Sequence, residues 1–274
     1  MIKIKIKIKI VLLSFIVAIL MYPRTITFLI NSIKDFYIAR NLSLNAIQSH
    51  SPTIDTDKTR ILFIFDDGWK SVYSEAYDVM KEYGYKGSVC IIPSLTVEKE
   101  YISYRELAEL YLDGWDLLNH SYSHKVNLYQ NTDELLSDFN RARRWMDNRY
   151  LAKSSDMVVM PYGEVNPYLI NQLKNEGYRN IRTSNNIIIL DGLDTSYFPI
   201  KAINLLTDMT EYEVISQLKK TLNESKTVLL ILHKIGDEDD EFGMTYSNDK
   251  LKQIIKFINE HNNDFEVITY SQLF

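Results

Sequence analysis

From residue 59 onward, short apolar runs alternate with longer segments in which apolar residues recur every three or four positions. The short runs predict strands buried on both faces, and the periodic segments predict helices. This alternation is typical of a parallel sheet that closes, or nearly closes, into an α/β barrel with its functional residues after the carboxyl ends of the strands. The predicted strands are Arg60–Phe65, Ser88–Ile92, Trp115–Leu118, Met157–Met160, Asn180–Thr183, Ile187–Leu190, Val228–Leu232 and Phe265–Ile268.

Capping residues and glycines indicate where the helices begin and end. The segments Ser103–Glu106 and Thr210–Glu213 fit the capping-box pattern. Asn166–Pro167 favours a helix with proline at its first position. Glycine and proline then mark the ends of several elements. The predicted helices begin near Ser71, Ser103, Thr132, Asn166, Thr210 and Asp249, and Gly84, Gly114 and Gly177 end three of them.

The amino-terminal segment differs from the rest of the chain. Lysine alternates with isoleucine through residue 9, and an uncharged apolar run of 13 residues follows, from Ile10 to Tyr22. This run has the length of a signal-peptide core and is shorter than the roughly 20 residues that span a bilayer. We predict a signal anchor or signal peptide over residues 1–23, with its basic end in the cytoplasm, a stem over 24–58 and a globular domain over 59–274. An edge strand followed by a buried helix is the alternative for the first segment.

Composition narrows the classes of function. The chain of 274 residues is 46% hydrophobic and 24% charged, which excludes extensive disorder. Its net charge of −5 argues against a broad nucleic-acid surface. The single cysteine, Cys90, excludes an intramolecular disulfide and a cysteine-based zinc cluster. A metal site would therefore use histidine and carboxylate ligands, and no obligate protein partner is evident.

Two adjacent carboxylates, Asp66 and Asp67, directly follow the first predicted strand and precede Gly68. Adjacent anions at the end of a buried strand repel each other. A cation would stabilise the pair if one carboxylate bound it while the other stayed free as a base. An aspartate that caps a turn or a helix explains the same residues equally well.

Two of the five histidines, His120 and His124, follow the strand Trp115–Leu118. Histidines four residues apart can share one face of a turn and bind one ion. Together with Asp67 they would supply two nitrogens and one oxygen and leave positions open for water and substrate. Such a set suits catalytic Zn²⁺ and would accept other divalent metals. Ordinary surface histidines are the alternative.

His233 follows the predicted strand Val228–Leu232, at a third strand terminus. This position favours a proton donor, and a packed or surface histidine is the alternative. The remaining histidines, His50 and His261, are interpreted as structural.

Four motifs, in their order and spacing, resemble those of the polysaccharide deacetylases (carbohydrate esterase family four, the NodB-homology domain), including the biofilm poly-N-acetylglucosamine deacetylases. The resemblance covers roughly Thr59 to Phe274. It implies a distorted (β/α) barrel, here preceded by an N-terminal membrane anchor, and metal-dependent removal of acetyl groups from N-acetylated sugars. The motifs are Phe65–Gly68, His120–His124, Met160–Gly163 and Leu232–His233.

The resemblance also implies a role for each motif residue. Asp66 would be the general base and His233 the general acid. The backbone N–H of Tyr162 would help to hold the oxyanion, and its side chain would line the groove. One divalent metal, for which Zn²⁺ is favoured and Co²⁺ or Ni²⁺ would also fit, would be held by Asp67, His120 and His124.

Two positions depart from the family pattern. Val159 lies two residues before the motif proline, where the family usually has an arginine that orients the base. This departure indicates a subgroup and carries a risk of lowered activity. Asp191–Asp194 matches a family Asp-x-x-Asp-Trp motif only in part, and a turn explains it equally well. The acidic run Asp237–Glu241 is interpreted as a solvated loop.

Three functions remain open at this point. The first is an N-deacetylase acting on an N-acetylglucosamine-containing exopolysaccharide or cell-wall glycan, anchored on the outer face of the cytoplasmic membrane or secreted to the bacterial surface. The second is an O-acetyl esterase that uses the same residues on another glycan. The third is a catalytically inactive barrel that binds glycan. The expected partners are an acetylated polysaccharide and, through the N-terminus, the membrane.

Overall fold

The computed structural model describes the chain in eight stretches. Among these residues, no helix combines the length and the apolar character needed to cross a bilayer. The predicted anchor, most of the predicted stem, Asp191–Asp194 and part of the acidic run lie outside the described residues. The described stretches are 33–34, 37–38, 40–42, 57–126, 131–190, 200–222, 227–238 and 242–274.

Strands and helices alternate through the described chain, as predicted. The eight predicted strands are all present, each within one residue at either end. The strands are β1 (Thr59–Phe65), β2 (Ser88–Ile91), β3 (Asp116–Asn119), β4 (Met157–Val159), β5 (Asn180–Arg182), β6 (Ile187–Ile189), β7 (Ile200–Asn204), β8 (Thr227–Leu232), β9 (Lys234–Ile235), β10 (Thr245–Tyr246) and β11 (Phe265–Val267).

The helices begin where the capping patterns place them. Both predicted capping boxes are formed, at Ser103 with Glu106 and at Thr210 with Glu213. The first predicted helix is divided into a π-helical turn, Val72–Ala76, and a short α-helix. The helices are α1 (Tyr77–Glu82), α2 (Tyr104–Leu112), α3 (Thr132–Asp147), α4 (Pro167–Asn175), α5 (Glu211–Lys219) and α6 (Asn248–Glu260).

Nine strands form one sheet in the order β6-β5-β4-β3-β2-β1-β8-β7, with β11 also paired to β1. Strand β8 pairs along one edge of β1, whereas β11 pairs with the beginning of the other edge and β2 with its end. Neighbouring strands are parallel except for β5 and β6. The sheet is therefore the nearly closed, barrel-like α/β arrangement that the sequence predicts, with most strand ends on one side.

Strand β6 departs from the expected parallel arrangement. It pairs antiparallel to β5 because the two strands are joined by a tight turn in which the Thr183 N–H donates to the Asn186 carbonyl at 2.8 Å. So short a connection permits a hairpin but not a parallel crossover. The sequence analysis also missed β7, which lies at the sheet edge beside β8 and is only half-buried, so that it lacks a continuous apolar run.

Side chains of β1 alternate between the two faces of the sheet, as strand geometry requires. Leu62 and Ile64 belong to the apolar cluster that fills the barrel, and Ile61 and Phe63 belong to the cluster beneath the helices. Asp66 follows Ile64 by two residues, so it lies on the same face of the sheet as Leu62 and Ile64. It therefore lies where the barrel interior meets the carboxyl ends of the strands.

Candidate active site

The ends of β1 and β8 meet at the mouth of the barrel. Phe65 and Leu232 are register partners, and the Asp66 N–H donates to the Leu232 carbonyl at 2.8 Å. This pairing places the residue after each strand side by side. The His233 Nε2 lies 4.0 Å from the Asp66 Oδ2. The predicted base and the predicted acid therefore belong to one site.

The three predicted metal ligands form a compact cluster. The Asp67 Oδ1 lies 3.3 Å from the His120 Nε2 and 3.5 Å from the His124 Nε2. All three ligand atoms lie within 4.8 Å of one another. Asp67 and His124 have φ angles of 69° and 52°, a left-handed conformation that is uncommon outside glycine. Backbone strain at two members of one cluster is typical of a functional site.

The protonation of these histidines fits a cation. The His120 Nδ1 lies 2.8 Å from the Val159 carbonyl, which can only accept, so Nδ1 carries the proton. In the neutral ring, Nε2 then presents a lone pair to the Asp67 carboxylate. Burial, and then the neighbouring His120, lower the pKa of His124 to about 4, so its ring is neutral at pH 7. A divalent cation among these atoms would relieve the repulsion of the facing lone pairs, and the donor set suits Zn²⁺.

A tryptophan that the sequence analysis did not single out holds the second oxygen of Asp67. The Trp69 Nε1 donates to the Asp67 Oδ2 at 3.3 Å, which leaves Oδ1 directed at the two histidines. The ring of Trp69 stacks on that of Tyr101, with centroids 4.7 Å apart. Trp69 is therefore a positioning residue for the aspartate of the cluster.

Asp66 is paired with an arginine that the sequence analysis also missed. The Arg182 Nη2 donates to the Asp66 Oδ2 at 2.5 Å, and both side chains are buried. Burial opposes the ionisation of Asp66, but the charge of Arg182, together with smaller contributions from His120, His233 and Cys90, holds the pKa of the carboxyl below its ordinary value. The buried Oδ1 accepts no hydrogen bond from a nitrogen or hydroxyl donor among the described residues. The ionised form of Asp66 is therefore favoured, as a general base requires.

The position of Arg182 accounts for Val159, the departure from the family pattern. Val159 on β4 and Arg182 on β5 are register partners in neighbouring parallel strands. Register partners project to the same face of a sheet. In this chain the guanidinium that contacts Asp66 comes from β5, and Val159 lies beside it on β4. An arginine within a short strand is a signal in the sequence, because a buried cation needs an anionic partner.

Tyr162 lies across the site from the carboxylates. It sits in the turn Pro161–Gly163 with a φ of 56°, and its hydroxyl donates to the His124 carbonyl at 3.3 Å. Its ring is half-exposed beside the ring of His124, with centroids 4.8 Å apart. The following Gly163 has a φ of 79° and lies so close to Ser184 that a Cβ would fall 1.6 Å from the serine Oγ. Only glycine fits that position.

Several of these groups line one cavity of about 310 Å³, whereas Asp67, His124 and Trp69 are not among its lining residues. It combines charged, polar and apolar walls. Several of its walls come from segments that the sequence analysis did not assign to the site, including missed strand β7. The lining residues are Asp66, His120, Met160, Tyr162, Gly163, Arg182, Ser184, Asn204, Leu206, His233 and Met244.

Comparison with known proteins finds similarity to one enzyme family. Residues 53–181 match the model of the polysaccharide deacetylases. This matched part of the chain therefore resembles a polysaccharide deacetylase domain. In sequence, it is similar to the poly-β-1,6-N-acetyl-D-glucosamine N-deacetylase of Staphylococcus aureus, with 26% identity over 136 residues, which cover 44% of this chain and 47% of the relative. The chain spans about half the length of the curated relatives it matches.

Solved structures support the fold. A peptidoglycan deacetylase from Bacillus subtilis superimposes with a TM-score of 0.54 at 19% identity and covers 80% of this chain and 92% of that one. A family 4 acetyl xylan esterase from Clostridium thermocellum, solved with a cobalt ion, gives a TM-score of 0.52 at 15% identity, over 79% of this chain and 90% of that one. At these identities, the likeness establishes the architecture that carries the site.

Proposed function

We propose that the protein is a metal-dependent N-deacetylase that removes acetyl groups from N-acetylglucosamine units of an extracellular polysaccharide and releases acetate. The observation that carries the proposal is the cavity shared by Asp66, His233 and His120, in which His120 belongs to the Asp67–His124 cluster. The name of the Staphylococcus aureus relative supports N-acetylglucosamine as the sugar.

The residues of this chain divide the chemistry among them. A divalent cation held by the cluster would polarise the acetyl carbonyl and increase the acidity of water. Asp66, kept ionised by Arg182, accepts the proton of the attacking water. His233 donates a proton to the leaving nitrogen, because an amide anion is too basic to depart unaided. The Tyr162 backbone N–H is proposed to stabilise the oxyanion. The products are acetate and a free amine on the sugar.

Acetate release from defined polymers tests the proposed function. We expect the metal-loaded protein to release acetate from poly-β-1,6-N-acetylglucosamine, chitin oligomers or peptidoglycan, and at least about tenfold less from acetylated xylan. Asp66→Asn should release none from any polymer, because an amide keeps the shape but cannot accept the proton. A preference for acetylated xylan would instead identify an O-acetyl esterase. Glycan binding without any release by the wild-type protein would identify an inactive barrel.

The role of His233 predicts a dependence on the leaving group. In His233→Ala, we expect the ratio of amide to aryl acetate activity to fall by at least about tenfold, because a phenolate leaves without a proton and an amine does not. Asp66→Asn should lower both activities together, since both need the activated water. His261→Ala is the matched control, because its ring caps the end of α6 by an interaction with the Phe257 carbonyl, outside the described cavity. Equal losses of amide and aryl acetate activity in His233→Ala would contradict the general-acid role of His233.

The proposed location is the outer face of the cytoplasmic membrane or the bacterial cell surface. It depends on the lysine-flanked apolar run within residues 1–23. Protease added to intact wall-less cells should digest the domain, whereas a cytosolic marker should survive. Recovery of the protein from the cytosol, protected from protease, would contradict this location.

A further inference from the structure

A second groove lies beside the loop that carries both histidines of the cluster. It has a volume of about 600 Å³ and passes between the beginning of α2 and the face of α3. Tyr122, one of its walls, lies in the loop between His120 and His124. A molecule in this groove would therefore contact the loop of the candidate active site.

One face of α3 forms the long wall of the groove. Asp138, Arg141 and Trp145 follow one another at spacings of three and four residues, which places them on the same side of the helix. The Asp138 Oδ2 accepts hydrogen bonds from the N–H and the Oγ of Ser123, at 2.8 and 3.1 Å. The face of α3 that binds the loop between His120 and His124 therefore also lines the groove.

Two arginines in the groove lie over aromatic rings. The guanidinium of Arg141 lies 3.6 Å from the ring centroid of Tyr122, and that of Arg149 lies 4.3 Å from Trp145. Stacking occupies the face of a guanidinium and fixes its plane, but it leaves the N–H groups at the edge free to donate.

These two cations have no anionic partner among the described residues. No carboxylate there lies within 4.0 Å of either guanidinium, although the chain as a whole has a net charge of −5. The one described acceptor is the Trp145 carbonyl, to which the Arg149 Nη1 donates at 3.2 Å. The groove therefore presents two guanidinium groups of fixed orientation beside aromatic side chains, and neither has an anionic partner among the described residues.

We propose that this groove binds a carboxylate on an acidic sugar of the glycan whose neighbouring N-acetyl unit enters the active site. The guanidinium fork matches a carboxylate in a bidentate geometry, and the half-buried rings of Tyr104 and Trp145 offer apolar surface to a sugar ring. The inference rests on the proposed function, because the acidic sugar would belong to the same glycan whose N-acetyl unit is hydrolysed in the candidate active site.

Binding of matched oligosaccharides to the full metal-loaded chain tests the proposal by calorimetry. The probe is an oligosaccharide that alternates N-acetylglucosamine with glucuronic acid, and its methyl-esterified form is the neutral control. We expect the acidic form to bind the wild-type protein at least about tenfold more tightly than the ester. Arg141→Gln/Arg149→Gln should lose this preference and bind both forms equally.

The control variant is Arg144→Gln/Lys174→Gln, which removes the same charge from exposed positions outside the groove. It should retain the preference for the acidic form and hydrolyse a small aryl acetate at the wild-type rate. Equal binding of the acidic and esterified forms by the wild-type protein, or a preference that survives in Arg141→Gln/Arg149→Gln, would overturn the proposal. Because binding is measured without turnover, absence of acetate release would count against the proposed function and not against the groove.

Discussion

Replacing both His120 and His124 with alanine is expected to remove nearly all bound metal and to lower deacetylation by at least roughly a thousandfold. The aspartate that remains is a single protein ligand, which cannot hold a divalent ion against water. Loss of several kcal/mol of charge stabilisation in the transition state corresponds to a loss of this size. Metal content by elemental analysis and acetate release are measured on the same purified protein.

The matched control for this variant is His261→Ala, which removes a histidine at the end of α6, outside the metal cluster. It should retain about one metal ion per chain and wild-type activity. A chelator should reproduce the loss in the wild-type protein, and added Zn²⁺ should reverse it. Full metal occupancy in His120→Ala/His124→Ala would refute the assigned ligands.

The sequence was sufficient to predict this cluster because its members follow strand ends. Asp67 comes after β1 and His120 after β3, and the ends of parallel strands lie at one edge of the sheet. Their convergence follows from the alternation of strands and helices without knowledge of any side-chain contact. His233 likewise follows a strand, β8, and the structure places it beside Asp66.

Arg182 could not be placed by this reasoning. Its contact with Asp66 depends on which residue of β5 lies opposite Val159, and a shift of one residue would turn the arginine to the other face of the sheet. Register between strands separated by a helix is set by packing across the whole sheet. A local pattern such as Asn180–Arg182 contains no information about it.

Strand β7, the strand of the main sheet that the sequence analysis missed, lies where burial is incomplete. Strand β7 contains Lys201 and Asn204 and is half-buried at an edge, so its apolar residues do not form a run. It nevertheless contributes Asn204 to the cavity. Cavity walls of this kind come from edge strands and loops, whose sequences are not constrained by a hydrophobic core. The catalytic candidates instead follow strands whose sequences are constrained by the core.

Arg182→Met is expected to lower kcat for deacetylation by about a hundredfold or more while leaving the metal content unchanged. The substitution leaves the Asp66 carboxylate buried without its cation, so the base loses both its orientation and the charge that keeps it ionised. Removing one partner of a buried ion pair also destabilises a protein by about 3–5 kcal/mol. Activity and the free energy of unfolding are therefore measured together.

Two further variants separate positioning from stability. Adding Asp66→Asn to Arg182→Met should recover part of the lost stability but no activity, because the buried charge is removed together with the base. Arg179→Met is the matched control. It breaks a partly exposed pair with Asp156, whose contacts are 2.8 Å, and should cost no more than about 1 kcal/mol and leave kcat unchanged.

Exchange of the two register partners gives the sharpest test of why Val159 is tolerated. Since Val159 and Arg182 lie side by side and face the same way, Val159→Arg/Arg182→Val should return a guanidinium to Asp66 from β4 and recover at least about tenfold in kcat over Arg182→Val alone. Recovery would establish that the site requires the cation and not its strand of origin. If the exchanged protein folds, binds metal and stays as slow as Arg182→Val, then Arg182 acts through something other than its contact with Asp66.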